Sequence, residues 1–486
     1  MPTAQLSTVL DGIVTVPASV DTELTGLSLD SRCVLPGDLF CAVPGSQMDG
    51  RQFIEEAWQK GASAVLAEGP AHVEGPVFYV PGLKGLLSSI AARFYQYPAK
   101  ELHMIGVTGT SGKTSCSQWI AAALQQAGAS CGIIGTLGHG FYGDLSPGPL
   151  TTPDAFFLQK TLADLKQQGA SHVAMEVSSH SLDQGRVNNV PFKIGIFTNL
   201  SHDHLDYHGS MAAYGAAKKK LFDYPNLGPA IINADDAFGR SLIETLKGAR
   251  SIYIYGIQPY KIGPPYSYVK NIVTKDMQTE VTVETPWGLG QFQTQCIGLF
   301  NVSNLLAVLT TLCLLEIPLK DALYYLSQLR PVAGRMQRLG GGHLPEVIID
   351  YSHKPEALQK ALMALRPYCQ GKLFCIFGCG GDRDKIKRPM MAKIAEQFAD
   401  EVWATNDNPR TEPPTQIMAD IMQGFNAPEK VKIHYDRADC IRQVLQAAQK
   451  NDCILIAGKG AEQYQLIGQN KIPFSDEEEV KKCLFG

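Results

Sequence analysis

This sequence has no surplus of charge of either sign. Its 486 residues carry 43 Lys and Arg against 47 Asp and Glu, a formal charge of −4. A chain so balanced advertises no basic face for nucleic acid and no basic stripe for a membrane surface. Long hydrophobic runs are also missing. The most apolar stretch, residues 304–315 (NLLAVLTTLCLL), is too short to span a bilayer and reads as a buried helix. No Lys or Arg precedes Arg32, so a secretory leader with a basic start is not expected. The 12 Cys are scattered, without the spacing of a disulfide framework. Cys375 and Cys379 (CIFGC) lie on an apolar run and read as reduced core residues rather than metal ligands. The cytoplasm is the compartment these features suggest. No internal repeat and no low-complexity tract interrupts the chain.

What remains is ordinary globular material, 45% hydrophobic and 19% charged, long enough for roughly three domains. Residues 1–98 form a first block with strand-like runs at Ala64–Ala67 and 77–80 and a turn at Pro36-Gly37. Tyr97-Pro98 ends it, because a residue before proline is pushed out of the helical region. A second block, 99–331, alternates short apolar runs (103–107, 131–134, 172–175, 194–197, 230–232) with helical patterns such as Lys113–Gln126. That is the rhythm of a mostly parallel sheet. Between residues 268 and 297 the rhythm changes to an antiparallel hairpin, with Pro286-Trp287-Gly288 as its turn. Helices over 302–315 and Leu319–Gln328 close the block. The third block, 332–486, repeats the βα rhythm through runs at 347–350, Leu373–Phe377, 401–404, 431–434 and 454–457. The expected fold is α/β in three domains: a small α/β domain, a central P-loop-type domain with a mostly parallel sheet, and a C-terminal Rossmann-like domain.

Chemistry first surfaces at Gly106–Thr114 (GVTGTSGKT), between a strand and a helix. Glycines let the backbone close around a phosphate, the helix start offers free N–H groups, and Lys113 adds a point charge. The Thr114 hydroxyl can ligate Mg²⁺. The strict P-loop pattern asks for glycine where Val107 stands, so the match misses by one residue. Glu176 ends the run HVAM, at the strand end that faces a ligand crevice in a parallel sheet. Residues 198–208 (TNLSHDHLDYH) hold three His and two Asp. Taken alone they suggest a metallohydrolase, but His208 stands one place too late for the HxHxDH pattern.

The loop GTSGKT resembles the ATP loop of the Mur ligases and of the related folylpolyglutamate synthetases, and the resemblance extends over essentially the whole chain. It implies that Gly109, Thr110, Ser111, Gly112, Lys113, Thr114 and Ser115 hold ATP. Asn301 and Asn304 (FNVSN) would contact adenine. Arg335, Asp350 and His353 would lie near the phosphates and ribose. Thr114, Glu176, His204 and Lys218 would serve Mg²⁺, with Lys218 carbamylated, since an ordinary ammonium with a pKa near ~10.4 would repel the metal. Lys113, Glu176, His204 and Lys218 are then the catalytic set.

The same resemblance implies a UDP-linked muramoyl dipeptide, UDP-MurNAc-L-Ala-D-Glu, as acceptor. Leu29, Ser31, Ser46, Gln47 and Met48 would meet the UDP end. Thr151, Thr152, Ser178, Gln184 and Arg186 would hold the peptide. Leu150 stands where some relatives carry Asn. In the third block, Asp407-Asn408-Pro409-Arg410 goes, in the family, with meso-diaminopimelate rather than lysine. Arg410 offers a planar fork for a carboxylate, Arg383 a second arginine, and Gly458 and Glu462 (AGKGAE) a pocket for the distal amino-acid group. Gln337 and Ala461 replace the Glu and His that relatives often have. The expected reaction is ATP-dependent amide formation through an acyl phosphate by a cytoplasmic monomer in peptidoglycan precursor synthesis. Four rivals stay open: the same ligase using L-lysine, a sister Mur ligase, a folylpolyglutamate synthetase, and a nucleotide-gated or non-catalytic protein.

Overall fold

The computed structural model describes residues 2–45, 48–69, 76–260, 263–275 and 277–485. The chain forms two compact units, residues 1–256, 260–267 and 307–317 in one and 257–259, 268–306 and 318–486 in the other. Among the described residues no helix is long and apolar enough to cross a membrane.

The first unit begins with a small parallel sheet in the order Gly26–Ser28, Asp38–Ala42, Ala64–Ala67, Val77–Tyr79. Its two middle strands are buried on both faces, which is why they read as unbroken apolar runs. Alternate side chains serve different cores. Leu39, Cys41, Ala64 and Leu66 pack with Leu83, Leu87 and Ile90 of the helix Leu83–Phe94. Phe40, Ala42, Val65 and Ala67 pack with Ile54 and Ala57 of the helix Ile54–Gln59. The helix Leu83–Phe94 ends on two residues outside the helical region. Gln96 and Tyr97 are both left-handed, at φ 57° and 54°. Their N–H groups turn back onto Arg93 O at 2.9 Å and Ala92 O at 2.6 Å. Tyr97 thus leaves the helical region, as proline demands, but satisfies the helix carbonyls instead of extending.

The larger sheet of this unit runs Cys131–Gly135, His172–Glu176, His103–Thr108, Phe192–Phe197, Ala230–Asn233, Ile252–Gly256, all parallel. Gly138–Phe141 and Asp144–Ser146 add an antiparallel hairpin at one edge. The strand before the glycine-rich loop, His103–Thr108, is therefore central. Met104, Val173, Met175, Phe192 and Ile232 turn to a core shared with Leu158, Leu162 and Leu165 of the helix Ala155–Gln167.

The second unit carries a meander of Tyr266–Lys275, Gln278–Thr285 and Gly288–Thr294. It has one strand more than the hairpin read from sequence. The extra strand is hidden by a register shift between Val269 and Asn271, which breaks the alternation. A second parallel sheet follows in the order Glu346–Asp350, Cys453–Ala457, Leu373–Phe377, Glu401–Thr405, Lys432–His434, with Gln337–Gly340 antiparallel at the edge. Cys375 and Cys379 are buried in the core beneath one face and carry free thiols. The helix Leu299–Leu314 begins in this unit, its residues from 307 on belonging to the first, and it is buried over residues 302–312, as its apolar run requires.

One ion pair in this unit is wholly enclosed. Arg437 donates from Nε and Nη2 to the two oxygens of Asp476 at 2.7 and 2.8 Å, both side chains being 0% exposed. Nη2 also reaches Ala457 O at 3.0 Å. Replacing Asp476 by Ala strands a buried guanidinium. Urea unfolding of this variant is expected to show a loss of about 3–5 kcal/mol with an unchanged slope; a loss under about 1 kcal/mol would contradict this.

Candidate active site

In the first unit the loop after His103–Thr108 closes as its glycines allow. Gly109 and Gly112 have φ of 150° and 87°, and a Cβ on Gly109 would collide with Thr198 Oγ1. The loop is braced by its neighbour strand's exit. Thr110 N donates to Asn199 O at 2.8 Å and Ser111 N to Asn199 Oδ1 at 2.9 Å. Thr198 Oγ1 donates to Ser111 O at 2.6 Å. Lys113 opens the helix Lys113–Gln126, and a helix N-terminus is the kind of place that suits an anion. Its Nζ donates to Gly109 O at 2.8 Å and Thr110 O at 3.0 Å. Lys218, only 1% exposed, donates to the same Gly109 O at 2.8 Å. Two ammonium groups therefore converge on one loop carbonyl.

Glu176 ends its strand 1% exposed, at the carboxyl edge, and is held on both oxygens. Thr136 N donates to Oε1 at 2.7 Å, while Thr136 Oγ1 and Thr114 Oγ1 each donate to Oε2 at 3.1 Å. Thr151 Oγ1 lies 3.0 Å from Thr136 Oγ1. Thr152 Oγ1 donates to Glu176 O at 2.8 Å and accepts from Ser178 N at 3.0 Å. Arg186 Nη1 donates to Thr152 O at 2.9 Å, and Arg186 Nε to Gln184 Oε1 at 2.9 Å. Residues far apart in sequence (Thr114, Thr151, Thr152, Glu176, Ser178, Gln184, Arg186) thus share one hydrogen-bonded wall. Leu150 beside it is half exposed.

The histidines do not form a metal cluster of their own. Among the described residues no three His, Cys, Asp or Glu side chains are grouped to hold a metal ion. His204, at φ 51°, places Nε2 3.0 Å from Asp203 Oδ2. His208 Nε2 lies 3.0 Å from Ser179 Oγ. His180 packs edge-on to His204 at 4.8 Å between ring centroids. Burial and neighbouring cations lower the pKa of His180, and burial does so for His208.

In the small N-terminal sheet, Leu29 packs against the core and Ser31 is buried, its hydroxyl donating to Glu56 Oε2 at 2.7 Å. Met48 is exposed. Ser46 and Gln47 lie outside the described residues.

In the second unit Asp350, His353, Arg383, Asp407 to Arg410, Gly458 and Glu462 lie at or just after the carboxyl ends of parallel strands, whereas Asn301, Asn304 and Arg335 do not. Asp350 accepts from Met336 N at 2.8 Å and from Ser352 Oγ. Desolvation raises its pKa, opposed by Ser352, Arg335 and those N–H groups. Arg335 lies over the Tyr351 ring at 4.4 Å, and the His353 ring packs against it with centroids 4.5 Å apart. Gln337 Oε1 accepts Gly334 N at 2.8 Å. A Cβ on Gly334 would strike the backbone of Gly460 and Ala461, so these loops touch. Asn301 and Asn304 are buried in their helix, Asn301 Nδ2 donating to Ile297 O at 2.8 Å.

Asp407 is buried, which raises its pKa, while Lys459 and Arg437 pull it down. Asn408 Nδ2 donates to Glu462 Oε2 at 2.9 Å. Arg410, left-handed at φ 55°, donates from Nη1 to Gly381 O at 2.9 Å and Asn408 O at 3.3 Å. A Cβ on Gly458 would come within 2.5 Å of Asp407 Oδ2. Arg383 is exposed and donates from Nη1 to Asp382 O at 3.1 Å. The loops of Arg383 and Arg410 are laced together. Thr411 N and Oγ1 donate to Asp382 Oδ2 at 3.0 and 2.8 Å, and buried Arg388 binds both oxygens of Glu412 at 2.8 and 2.6 Å.

Sequence reasoning passed over Thr136, Asn199 and Lys459. Thr136 and Asn199 each sit just past a strand run, a position that the rule of carboxyl-edge crevices flags. Lys459 lies in the same motif as Gly458 and Glu462, and its burial is visible only in the fold.

The chain is similar to known proteins over nearly its whole length. The family model described as Mur ligase middle domain matches residues 107–312, the one described as Mur ligase, glutamate ligase domain matches 334–460, and that of the Mur ligase family, catalytic domain matches 23–127. A curated relative from Ectopseudomonas mendocina is 53% identical over 94% of both chains, and one from Coxiella burnetii 49% over 96% of both. Both are named UDP-N-acetylmuramoyl-L-alanyl-D-glutamate–2,6-diaminopimelate ligase. A solved structure of a ligase of that name is 33% identical, with a TM-score of 0.72 over 100% of this chain and 99% of its own. The MurF ligase of Thermotoga maritima, solved with ADP, shares the fold at a TM-score of 0.66 and 19% identity, covering 96% of this chain and 98% of its own.

Two outcomes follow from the geometry. Gly109→Ala forces the loop away from Thr198, and titration calorimetry with ATP should show affinity down by at least about tenfold at near-normal melting temperature; unchanged affinity would refute the steric argument. Glu412, held down to about 2 by Arg388 and by the N–H of Asp382, is ionised in the fold where an unfolded carboxyl is not. Its contribution is complete above pH 4.5 and fades as pH falls toward 2. Glu412→Gln should flatten the stability lost between those pH values in acid unfolding curves; an identical slope in both proteins would count against the pair.

Proposed function

The chain belongs to the Mur ligase family, and from that premise we propose that it adds meso-2,6-diaminopimelate to the D-Glu γ-carboxylate of UDP-MurNAc-L-Ala-D-Glu at the expense of ATP. The observation that carries the choice of amine is the crevice of Asn408, Arg410 and Glu462. Glu462 Oε2 takes its donors from the protein, and among the described residues Oε1 takes none. Arg410 spends Nη1 on carbonyls, and among the described residues Nε and Nη2 have no partner. An acceptor oxygen and a planar donor edge, either side of Asn408, suit the ammonium and carboxylate of one amino-acid end. Diaminopimelate carries such an end beyond its reacting amine; lysine lacks the second carboxylate.

In this reading the γ-carboxylate of D-Glu attacks the terminal phosphorus of ATP, giving an acyl phosphate and ADP. The free amine then attacks the acyl carbon, phosphate leaves with the bonding pair, and the nitrogen loses a proton to give the amide. Gly109 to Ser115 cradle the phosphates, and Lys113 follows the charge on the transferring group. Asn301, Asn304, Arg335, Asp350 and His353 orient the nucleotide. Thr151, Thr152, Ser178, Gln184 and Arg186 hold the peptide carboxylates, and Leu29, Ser31 and the loop of Ser46, Gln47 and Met48 the UDP end.

Mg²⁺ fits the hydroxyl and carboxylate of Thr114 and Glu176, hard oxygens 3.1 Å apart, and when bound there, with His204 and a carbamylated Lys218, it supplies charge that offsets the phosphoryl oxygens. Buried Lys218 can serve it only as the carbamate, which exchanges the ammonium for an anionic oxygen donor. Three working parts, 1–98 for UDP, 99–331 for ATP and 332–486 for the diamino acid, act in the cytoplasm as a monomer. Residues near 98 and 331 are the hinges on which amine and acyl phosphate meet.

Phosphate release from ATP with UDP-MurNAc-L-Ala-D-Glu tests this directly. Turnover with meso-diaminopimelate and at most about a hundredth of it with L-lysine is expected, with a product heavier by one diaminopimelate residue. Equal or better turnover with lysine would overturn the choice of amine, and no turnover with any diamino acid would overturn the ligase assignment.

A further inference from the structure

We propose that Lys459 is a specificity-determining positioning residue, acting through Glu462 and Asn408 to keep one carboxylate oxygen open toward the ammonium of the incoming diamino diacid. This rests on the reading above that the crevice takes that substrate.

Lys459 is fully buried, at 0% exposure, an unusual place for an ammonium unless its charge and protons are spoken for. Its Nζ donates to Glu462 Oε2 at 2.8 Å and to Asn408 Oδ1 at 3.1 Å. Asn408 Oδ1 also accepts Leu466 N at 2.9 Å. Two donors on one amide oxygen leave a single orientation of the amide, with Nδ2 turned to Glu462 Oε2 at 2.9 Å. Oε2 is thereby filled from two sides. Oε1, with no donor among the described residues, is left as the acceptor that faces an arriving ammonium. The backbone oxygen of the same residue accepts from Arg410 Nη1 at 3.3 Å, so Asn408 stands beside the guanidinium whose Nε–Nη2 edge would take the carboxylate.

Remove the ammonium and three things change together. Glu462 loses its buried counter-charge while Asp407 lies in the same pocket wall. The amide of Asn408 keeps only one donor to define it. Oε2 becomes available to compete with Oε1 for the substrate, so the ammonium is no longer held in one place. A blurred pocket of this kind weakens recognition of the diamino diacid and leaves ATP and the UDP-linked acceptor, which bind through other residues, untouched.

The test is a double-mutant cycle on the full-length enzyme, read as steady-state constants for all three substrates. K459M keeps the length of the side chain without its charge. It should raise KM for meso-diaminopimelate by at least about tenfold, with kcat within about threefold and KM for ATP and for the UDP-dipeptide unchanged. E462Q should do the same. If Lys459 works through Glu462, K459M/E462Q should be within about threefold of E462Q alone. A KM for the diamino diacid within about twofold of wild type in K459M, or a double variant whose effect is the product of the singles, would overturn the proposal. If K459M does not fold, K459Q takes its place: an amide that donates without charge should give an intermediate KM, and a wild-type value would overturn the proposal equally. Wild-type enzyme that ignores every diamino diacid would fail the functional reading first; active wild-type enzyme with an indifferent K459M fails only this inference.

Discussion

A parallel strand can continue only after its chain has left the sheet, and it leaves at the carboxyl edge. Both units obey this constraint, and most of the candidate site residues hang from it. In the first unit the exits of Cys131–Gly135, His172–Glu176, His103–Thr108 and Phe192–Phe197 supply Thr136, Glu176, the glycine-rich loop and Thr198-Asn199. In the second the exits of Glu346–Asp350, Cys453–Ala457, Leu373–Phe377 and Glu401–Thr405 supply His353, Gly458 to Glu462, Gly380 to Arg383 and Asp407 to Arg410. Each crevice is therefore assembled from four loops that are distant in sequence and adjacent in register.

Loops so assembled need fixing, and the fixing is electrostatic. Among the described residues four cationic side chains are almost fully buried: Lys218, Arg388, Arg437 and Lys459. Each is tied to a loop carbonyl or a carboxylate beside a crevice: Gly109 O, Glu412, Asp476 with Ala457 O, and Glu462. Such pairs add little net stability over a well-packed apolar alternative, because desolvation offsets their attraction. They do hold directions. A guanidinium bound on both oxygens of Glu412 fixes where the DNPR loop returns to its helix, and so how Arg410 is presented.

Close backbone approach is the second means of fixing. Gly109 against Thr198, Gly135 against Glu176, and Gly334 against Ala461 all stand where a Cβ would collide. Gly109 and Gly334 are also left-handed, at φ 150° and 64°, whereas Gly135, with no positive φ, is kept bare by the neighbouring acid alone.

The sequence alone settled the elements whose causes are local. The helix Lys113–Gln126 begins where a glycine turn ends, and Leu319–Gln328 follows a proline, so both bounds were readable to the residue. Central strands were visible because burial on both faces makes them continuous apolar runs. Lys113, Glu176 and Arg410 could be singled out because their motifs are contiguous in the chain and resemble those of a known family. Other features depend on partners tens or hundreds of residues away. The hairpin Tyr464–Ile467 with Asn470–Pro473 is exposed or half-buried throughout and has no apolar alternation to announce it, yet Leu466 closes the amide of Asn408 and the backbone of Arg410. Thr136 shows its role only when two strands lie side by side, and Lys459 only when burial forces its ammonium onto Asn408 and Glu462. Composition and spacing fix what a residue can donate or accept. Which partner it meets is decided by strand register, and that is set by the packing of the whole sheet.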